Sequence, residues 1–179
     1  LRTFALPRDH FHSTFCLFMP QAMRNLKIFS LTRLILVTAA IFGLTIAHAA
    51  APIYPEPAAA EGDIRQALID AAKNHKRALI DFGGDWCGDC KALDANFHKP
   101  ENIALLDSGF VLVHVNVGHV DQNLDIAERY GIPLKKGVPA LAVLDENGKV
   151  LFAQQHGEFE DMRHMDVQSV NDFLNKWKP

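Results

Sequence analysis

From Asp63 onward the apolar residues Ile64, Ala67, Leu68, Ala71 and Ala72 recur at helical spacing, with Asp63 and Gln66 placed as a capping box. This pattern predicts an amphipathic helix ending near His75. The period then shortens: "ALIDF" (Ala78–Phe82) is an apolar run bounded by charge on one side and Gly83-Gly84 on the other, which fits a buried strand interrupted by one carboxylate, Asp81. A second helix is expected from the cysteine pair at Cys87, turning Leu93 and Phe97 inward until Pro100 interrupts it, with a short helical turn resuming through Leu106 before Gly109. "FVLVHVNV" (Phe110–Val117) is β-branched and nearly continuous, a second buried strand. Asp121 is placed to cap a helix through Tyr130 with Leu124 and Ala127 on its inner face. "ALAVL" and "KVLFAQ" flank Asp145-Glu146-Asn147-Gly148 as a hairpin. Val167, Val170, Phe173, Leu174 and Trp177 predict a closing helix. Helices that alternate with buried strands need parallel pairings and the hairpin adds antiparallel ones, so the expected fold class is α/β, a central mixed β-sheet flanked by helices on both faces.

The first 49 residues do not follow this pattern. Arg24, Lys27 and Arg33 precede an uncharged apolar run from Leu34 to Ile46 that closes on Ala47-His48-Ala49. A basic start, an apolar run short of the roughly 20 residues a span requires and small residues at −3 and −1 read as a secretory signal over residues 23–49, cleaved after Ala49. An uncleaved signal anchor in the inner membrane is the rival reading. Residues 1–22 read as an over-long translation or unstructured leader, and Cys16 would go with them. "APIYPEPAAAEG" closes a Pro- and Ala-rich linker over residues 50–62, ahead of one domain over residues 63–179.

Charge narrows the partners. The chain holds 18 Lys and Arg against 21 Asp and Glu, and the first 49 residues take five of the basic residues and one acid, leaving 13 basic and 20 acidic, a net of −7. Such a surface argues against nucleic acid and offers nothing to anionic lipid. Export implies a periplasmic or secreted protein, where disulfides persist. Two cysteines then remain, Cys87 and Cys90, within "DFGGDWCGDCKALD". A pair at this spacing can clip a metal, close a small structural loop or shuttle electrons as a dithiol and disulfide.

That segment resembles the active-site stretch of the thioredoxin superfamily, where Trp-Cys-x-x-Cys sits at a strand-to-helix junction. "VHVNV", "YGIPLKKGVPAL" and "NGKVL" match the following strand, the loop before the hairpin and the hairpin turn, so the resemblance covers about residues 63–177. Among its branches the chain is most similar to the C-terminal domain of the bacterial transmembrane thiol–disulfide interchange protein, which also reads Asp-Trp-Cys-x-x-Cys-Lys. It departs in three places. Gly83 stands where thioredoxins often have Trp, the dipeptide between the cysteines is Gly88-Asp89 rather than Gly-Pro, and about Pro133 to Lys136 lengthen the loop before Val138-Pro139.

The resemblance implies a thioredoxin-like fold and a thiol–disulfide oxidoreductase with no cofactor beyond a Cys87–Cys90 redox disulfide. Cysteines at i and i+3 on a first helical turn share a face, close enough for that bond. Cys87 at the helix N-terminus is expected to be the exposed, acidified nucleophile and Cys90 the buried resolving thiol. Asp81 is expected to accept the Cys90 proton. Pro139 is expected to follow a cis bond, leaving Val138 backbone groups free to pair with an extended substrate, and Trp86 to flank the cleft. His114 stands near where thioredoxins often have a Lys, but strand periodicity leaves open whether its face meets Asp81, and a satisfied core or edge histidine is the plainer account.

Gly88 and Asp89 are read as tuning the potential. A carboxylate about 7 Å from the Cys87 sulfur at an effective dielectric of roughly 40 disfavours the thiolate by about 1 kcal/mol. The expected potential is therefore roughly −200 to −270 mV, that of a reductase or electron carrier rather than a strong oxidant. Expected partners are protein thiols and disulfides, with a membrane thiol carrier as electron donor. Two other classes stay open. A copper or zinc protein would use the same pair, with His98 or His119 recruited, though these lack ligand spacing. A non-catalytic binding module would use the disulfide only to stiffen a loop, which is too small for much stability to be gained.

Overall fold

The computed structural model describes residues 51–179, so the expected leader, signal segment and cleavage position lie outside the described residues. No helix among the described residues is long and apolar enough to cross a membrane. The stretch expected as a linker is built into the domain. Pro57–Ala59 form a 3-10 turn that feeds directly into α1 (Ala60–Asn74), and Tyr54 and Ala60 are buried. Asp63 therefore falls within the first turn of the helix instead of capping it, where its charge suits the exposed N–H groups. The helix ends at His75 in the left-handed region, as the spacing predicts.

Strand β1 (Arg77–Gly83) leads through a short loop into α2 (Gly88–Phe97). Pro100 opens α3 (Pro100–Gly109), a full helix where one turn was expected, because proline suits a first helical turn. Then follow β2 (Phe110–Asn116), α4 (Leu124–Arg129), a 3-10 turn at Leu134–Lys136, β3 (Ala140–Leu144), β4 (Val150–Ala153) and α5 (Gln168–Trp177). The sheet order is β2-β1-β3-β4, with β1 parallel to β2 and antiparallel to β3, and β3 antiparallel to β4. This is the mixed sheet that the element order predicts.

Each face of the sheet carries its own core. Ile64, Ala67 and Ala71 of α1 pack with Ile80, Phe82, Val115 and Leu144 on one side. Leu93 and Phe97 of α2 and Phe173 and Leu174 of α5 pack with Leu79, Leu141 and Val143 on the other. A fully buried side chain of this size contributes about 1.5–3 kcal/mol, so two covered faces explain why β1 is apolar almost without alternation. One residue expected inward, Leu124, faces out. Asn123, in the left-handed region, starts α4 later than Asp121 would, and Ile126 and Ala127 face the core while Leu124 is 48% exposed.

Candidate active site at the end of the first strand

The chain leaves β1 through Gly83, Gly84, Asp85 and Trp86 and enters α2 with Cys87 as its N-cap. The Cys87 backbone is extended, and its sulfur accepts a hydrogen bond from the Cys90 N–H at 3.0 Å, doing the work that a Ser or Asp cap does elsewhere. Cys87 and Cys90 form a disulfide with Cα atoms 5.2 Å apart. Cys90 has no exposure. Cys87 was expected to be solvent-facing but keeps only 6% of its surface, because Tyr54, Ile53 and Val138 pack around the two sulfurs. Both sulfurs are therefore buried, and the solvent-facing Cys87 that was expected is not what the structure shows.

The Val138–Pro139 bond is cis. The Val138 carbonyl oxygen lies 3.5 Å from Cys87 Sγ. Pro139 is fixed from behind by buried Gln154, whose Nε2 donates to the Pro139 carbonyl at 3.1 Å while its Oε1 accepts from the Leu141 N–H at 3.3 Å. On the open rim Trp86 is 48% exposed, stacks on His119 with ring centroids 5.1 Å apart, and donates through Nε1 to the Gly118 carbonyl.

Beneath the sulfurs the site is closed. Asp81 is fully buried, and its Oδ2 accepts the Tyr54 hydroxyl at 2.7 Å and meets His114 Nδ1 at 2.9 Å across the β1–β2 pair, where the two residues are in register. The face of His114 that strand periodicity left undecided does meet Asp81. Asp81 Oδ1 is buried without a partner among the described residues. Gly83 has a physical reason to be glycine: a Cβ there would lie 2.5 Å from Tyr54 Oη and 2.8 Å from Cys90 Sγ, so the missing side chain lets the phenol and the inner sulfur converge.

The electrostatics follow from burial and pairing. Burial first, and then the charge and hydrogen bond of Asp81, push the Tyr54 phenol far above its ordinary value, so it remains a neutral donor. For His114 burial works against the charged ring, but the hydrogen bond and charge of Asp81, with Asp94 and Asp85, outweigh it and hold the imidazole above its usual range. His114 Nε2 also lies 3.7 Å from Asp94 Oδ1.

Asp89 is not the lone carboxylate that its tuning role assumed. The backbone N–H and Nε of Arg163 donate to its Oδ1 and Nη2 donates to its Oδ2, each at 3.0 Å. The hydrogen bond from Arg163 holds the Asp89 carboxyl below the usual carboxylate range, against the opposing effect of burial. The guanidinium also lies against Gly88, where a Cβ would come 3.5 Å from it. The charge that was to disfavour the Cys87 thiolate is therefore largely compensated, which corrects the argument from the Gly88-Asp89 dipeptide.

Among the described residues no three His, Cys, Asp or Glu side chains converge as a metal site. Sequence reasoning missed Tyr54, Arg163 and Gln154. Tyr54 had one signal, a lone aromatic in a Pro- and Ala-rich stretch. Arg163 had none, since its partner is 74 residues away.

The family model described as thioredoxin-like matches residues 59–146. The disulphide isomerase of Xylella fastidiosa Temecula1 has 37% identity and a TM-score of 0.68 over 72% of this chain and 98% of that one. Protein disulfide isomerase-like 2-2 of Oryza sativa subsp. japonica is 32% identical over 75 residues, 42% of this chain and 19% of its own length. Thioredoxin-2 of Pyricularia oryzae is 31% identical over 85 residues, 48% of this chain and 44% of its own length. The chain thus spans less than half of either curated relative. With a disulfide across Cys87 and Cys90 at the mouth of α2 and these relatives alongside, the chain belongs to the thioredoxin superfamily.

Proposed function

We propose that this protein exchanges its Cys87–Cys90 pair with protein thiols and disulfides in the cell envelope, acting as a reductase or electron carrier. The reading rests on one observation, two bonded sulfurs at a helix N-terminus, Cys87 keeping 6% of its surface beside the Val138 carbonyl and Cys90 keeping none and packed with Tyr54, whose hydroxyl donates to buried Asp81. Unpaired N–H groups and the dipole at that terminus favour a Cys87 thiolate. In the reducing direction the Cys87 thiolate attacks a substrate disulfide, forming a mixed disulfide and expelling one substrate thiolate. Cys90 then loses its proton to Asp81 and attacks Cys87, the mixed S–S bond breaks, and the electron pair leaves on the second substrate sulfur. The substrate gains two electrons and the enzyme ends as the disulfide. The Val138 backbone, Pro139 and the exposed face of Trp86 seat the substrate strand.

The reducing direction is supported on different ground from Asp89 alone. The Asp89–Arg163 pair supplies little net charge, which leaves the helix terminus as the main stabiliser of the thiolate. The expected potential stays at roughly −200 to −270 mV, and equilibration with glutathione measures it; a value above about −150 mV overturns the reductase assignment. Export is supported by the signal-like pattern over residues 23–49 and is tested by cell fractionation. A membrane thiol carrier would re-reduce the enzyme, and a Cys90→Ala variant should trap it and the substrates as mixed disulfides. Insulin reduction by wild type but not by Cys87→Ser is the direct assay; equal activity in both removes the enzymatic reading.

A further inference from the structure

Asp81 has no exposure, so a proton taken from Cys90 changes a buried charge that must be balanced from inside the protein. Two side chains touch its Oδ2. Tyr54 is a phenol that stays protonated. His114 is the one of the two whose ordinary titration falls near neutrality, and its ring bridges the interior and the surface. Nδ1 is 2.9 Å from Asp81 Oδ2, Nε2 is 3.7 Å from Asp94 Oδ1, and the His114 and Asp94 side chains are both partly exposed.

The geometry points to His114 as the proton exit of the buried half of the site, a positioning residue that acts through Asp81. This rests on the reading above in which Asp81 takes the Cys90 proton. With Asp81 ionised, the imidazole is doubly protonated between two carboxylates. When the Cys90 S–H bond breaks and an O–H bond forms at Asp81 Oδ1, the cation loses its buried counter-charge. The Nε2–H bond then breaks, the nitrogen keeps the electron pair, and the proton passes to Asp94 or to water. The Asp81–His114 pair is neutral before and after, so no isolated charge is stranded in the interior at either stage. When a dithiol reduces the Cys87–Cys90 bond, Cys90 takes its proton back and the imidazole regains one by the same route. The shuttle therefore resets without a ring flip.

The groups facing His114 suit this task. Asp81 lies on β1, Asp94 on α2, Asp85 in the loop before the cysteines and Tyr54 on the arm, while Asp63 and Asp70 of α1 line the groove bordering its strand. Tyr54 and His114 both occupy Oδ2, so Oδ1 is the Asp81 oxygen left to take a proton.

The test uses the full chain in a Cys16→Ser background, reduced and then mixed with dithiobis(nitrobenzoate). The first thionitrobenzoate released reports attack by Cys87, and the second reports attack by Cys90 on the mixed disulfide. From about pH 5 to 9 the second step in wild type should show a histidine-linked inflection. His114→Gln should abolish that inflection and slow the second release roughly tenfold at neutral pH while the first release is unchanged. Asp94→Asn should keep the inflection but move it to lower pH, because a negative charge beside the ring is gone. A wild-type inflection and rate in His114→Gln, with Asp81→Asn still slow, overturns the proton exit and leaves the oxidoreductase reading intact. Wild-type behaviour in Asp81→Asn as well overturns both the exit and the role of Asp81. Where His114→Gln does not fold, an unmoved inflection in Asp94→Asn overturns the exit by itself.

Discussion

The two sulfurs are one helical turn apart and share the cover of Tyr54, Ile53 and Val138, yet the polar groups beyond that cover differ. Behind Tyr54, on the inner side, Asp81, Tyr54 and His114 form an enclosed hydrogen-bonded set with one unpartnered carboxyl oxygen. Around Cys87 the groups are partly wet and directed outward: the Val138 carbonyl, the Trp86 face and the Asp89–Arg163 pair. A thiol that must give up a proton gains from a preorganised interior, whereas a thiol that must meet another protein needs a surface. The difference suggests that the two halves of the exchange are tuned by separate sets of residues, and variants on the two sides should separate them.

The largest expected effect lies on the closed side. Asp81→Asn removes the proton acceptor and should slow resolution of a mixed disulfide by about 10²-fold at neutral pH, leaving the first attack by Cys87 within about twofold; stopped-flow release of thionitrobenzoate reads both. An equal slowing of both steps would erase the separation. Next is Tyr54→Phe, which deletes a donor to the buried Asp81 carboxyl and should cost about 1–3 kcal/mol in urea unfolding, with m unchanged. A cost near zero would mean that the arm contributes no more than cover.

On the open side the effects are smaller. Arg163→Gln leaves Asp89 uncompensated near the helix N-terminus. By Coulomb's law at about 7 Å and an effective dielectric of roughly 40, the Cys87 thiolate loses about 1 kcal/mol, so alkylation by iodoacetamide at neutral pH should slow about fivefold with resolution unaffected. The guanidinium is exposed, so the variant should unfold at nearly the wild-type denaturant midpoint. The smallest effect concerns pH. The His114 value is raised by folding, so its contribution to stability is complete below the unfolded value of about 6.5 and is lost as pH rises through the folded value. The advantage of wild type over His114→Gln in denaturant midpoint should therefore shrink from mildly acid to alkaline pH, and an advantage that grows over that range would refute the pairing.

Much of this was legible in the chain. Helical and strand periods located the elements, and the Cys-x-x-Cys spacing with Val138-Pro139 located the reacting edge. Asp81 stood out because a carboxylate in an apolar strand needs a reason. The unread parts depend on distant contacts. Composition describes Ala51–Gly62 as a linker, because a single buried aromatic cannot outweigh its prolines, yet Tyr54 is fixed by a partner 27 residues away. Asp89 reads as a lone charge until Arg163 is brought to it by the segment between β4 and α5, where buried Phe159 and Met162 anchor the chain and no regular period exists. Spacing counted from Asp121 puts Leu124 inward, but a left-handed Asn123 sets the phase.

The arm carries a practical warning for anyone who trims this protein. A version shortened to start at Asp63 would keep all four strands and most of the first helix, and its far-ultraviolet circular dichroism would look sound. It would nonetheless have lost the phenol that closes the floor and the Ile53 that shades the outer sulfur, so redox measurements made on it would describe a different enzyme.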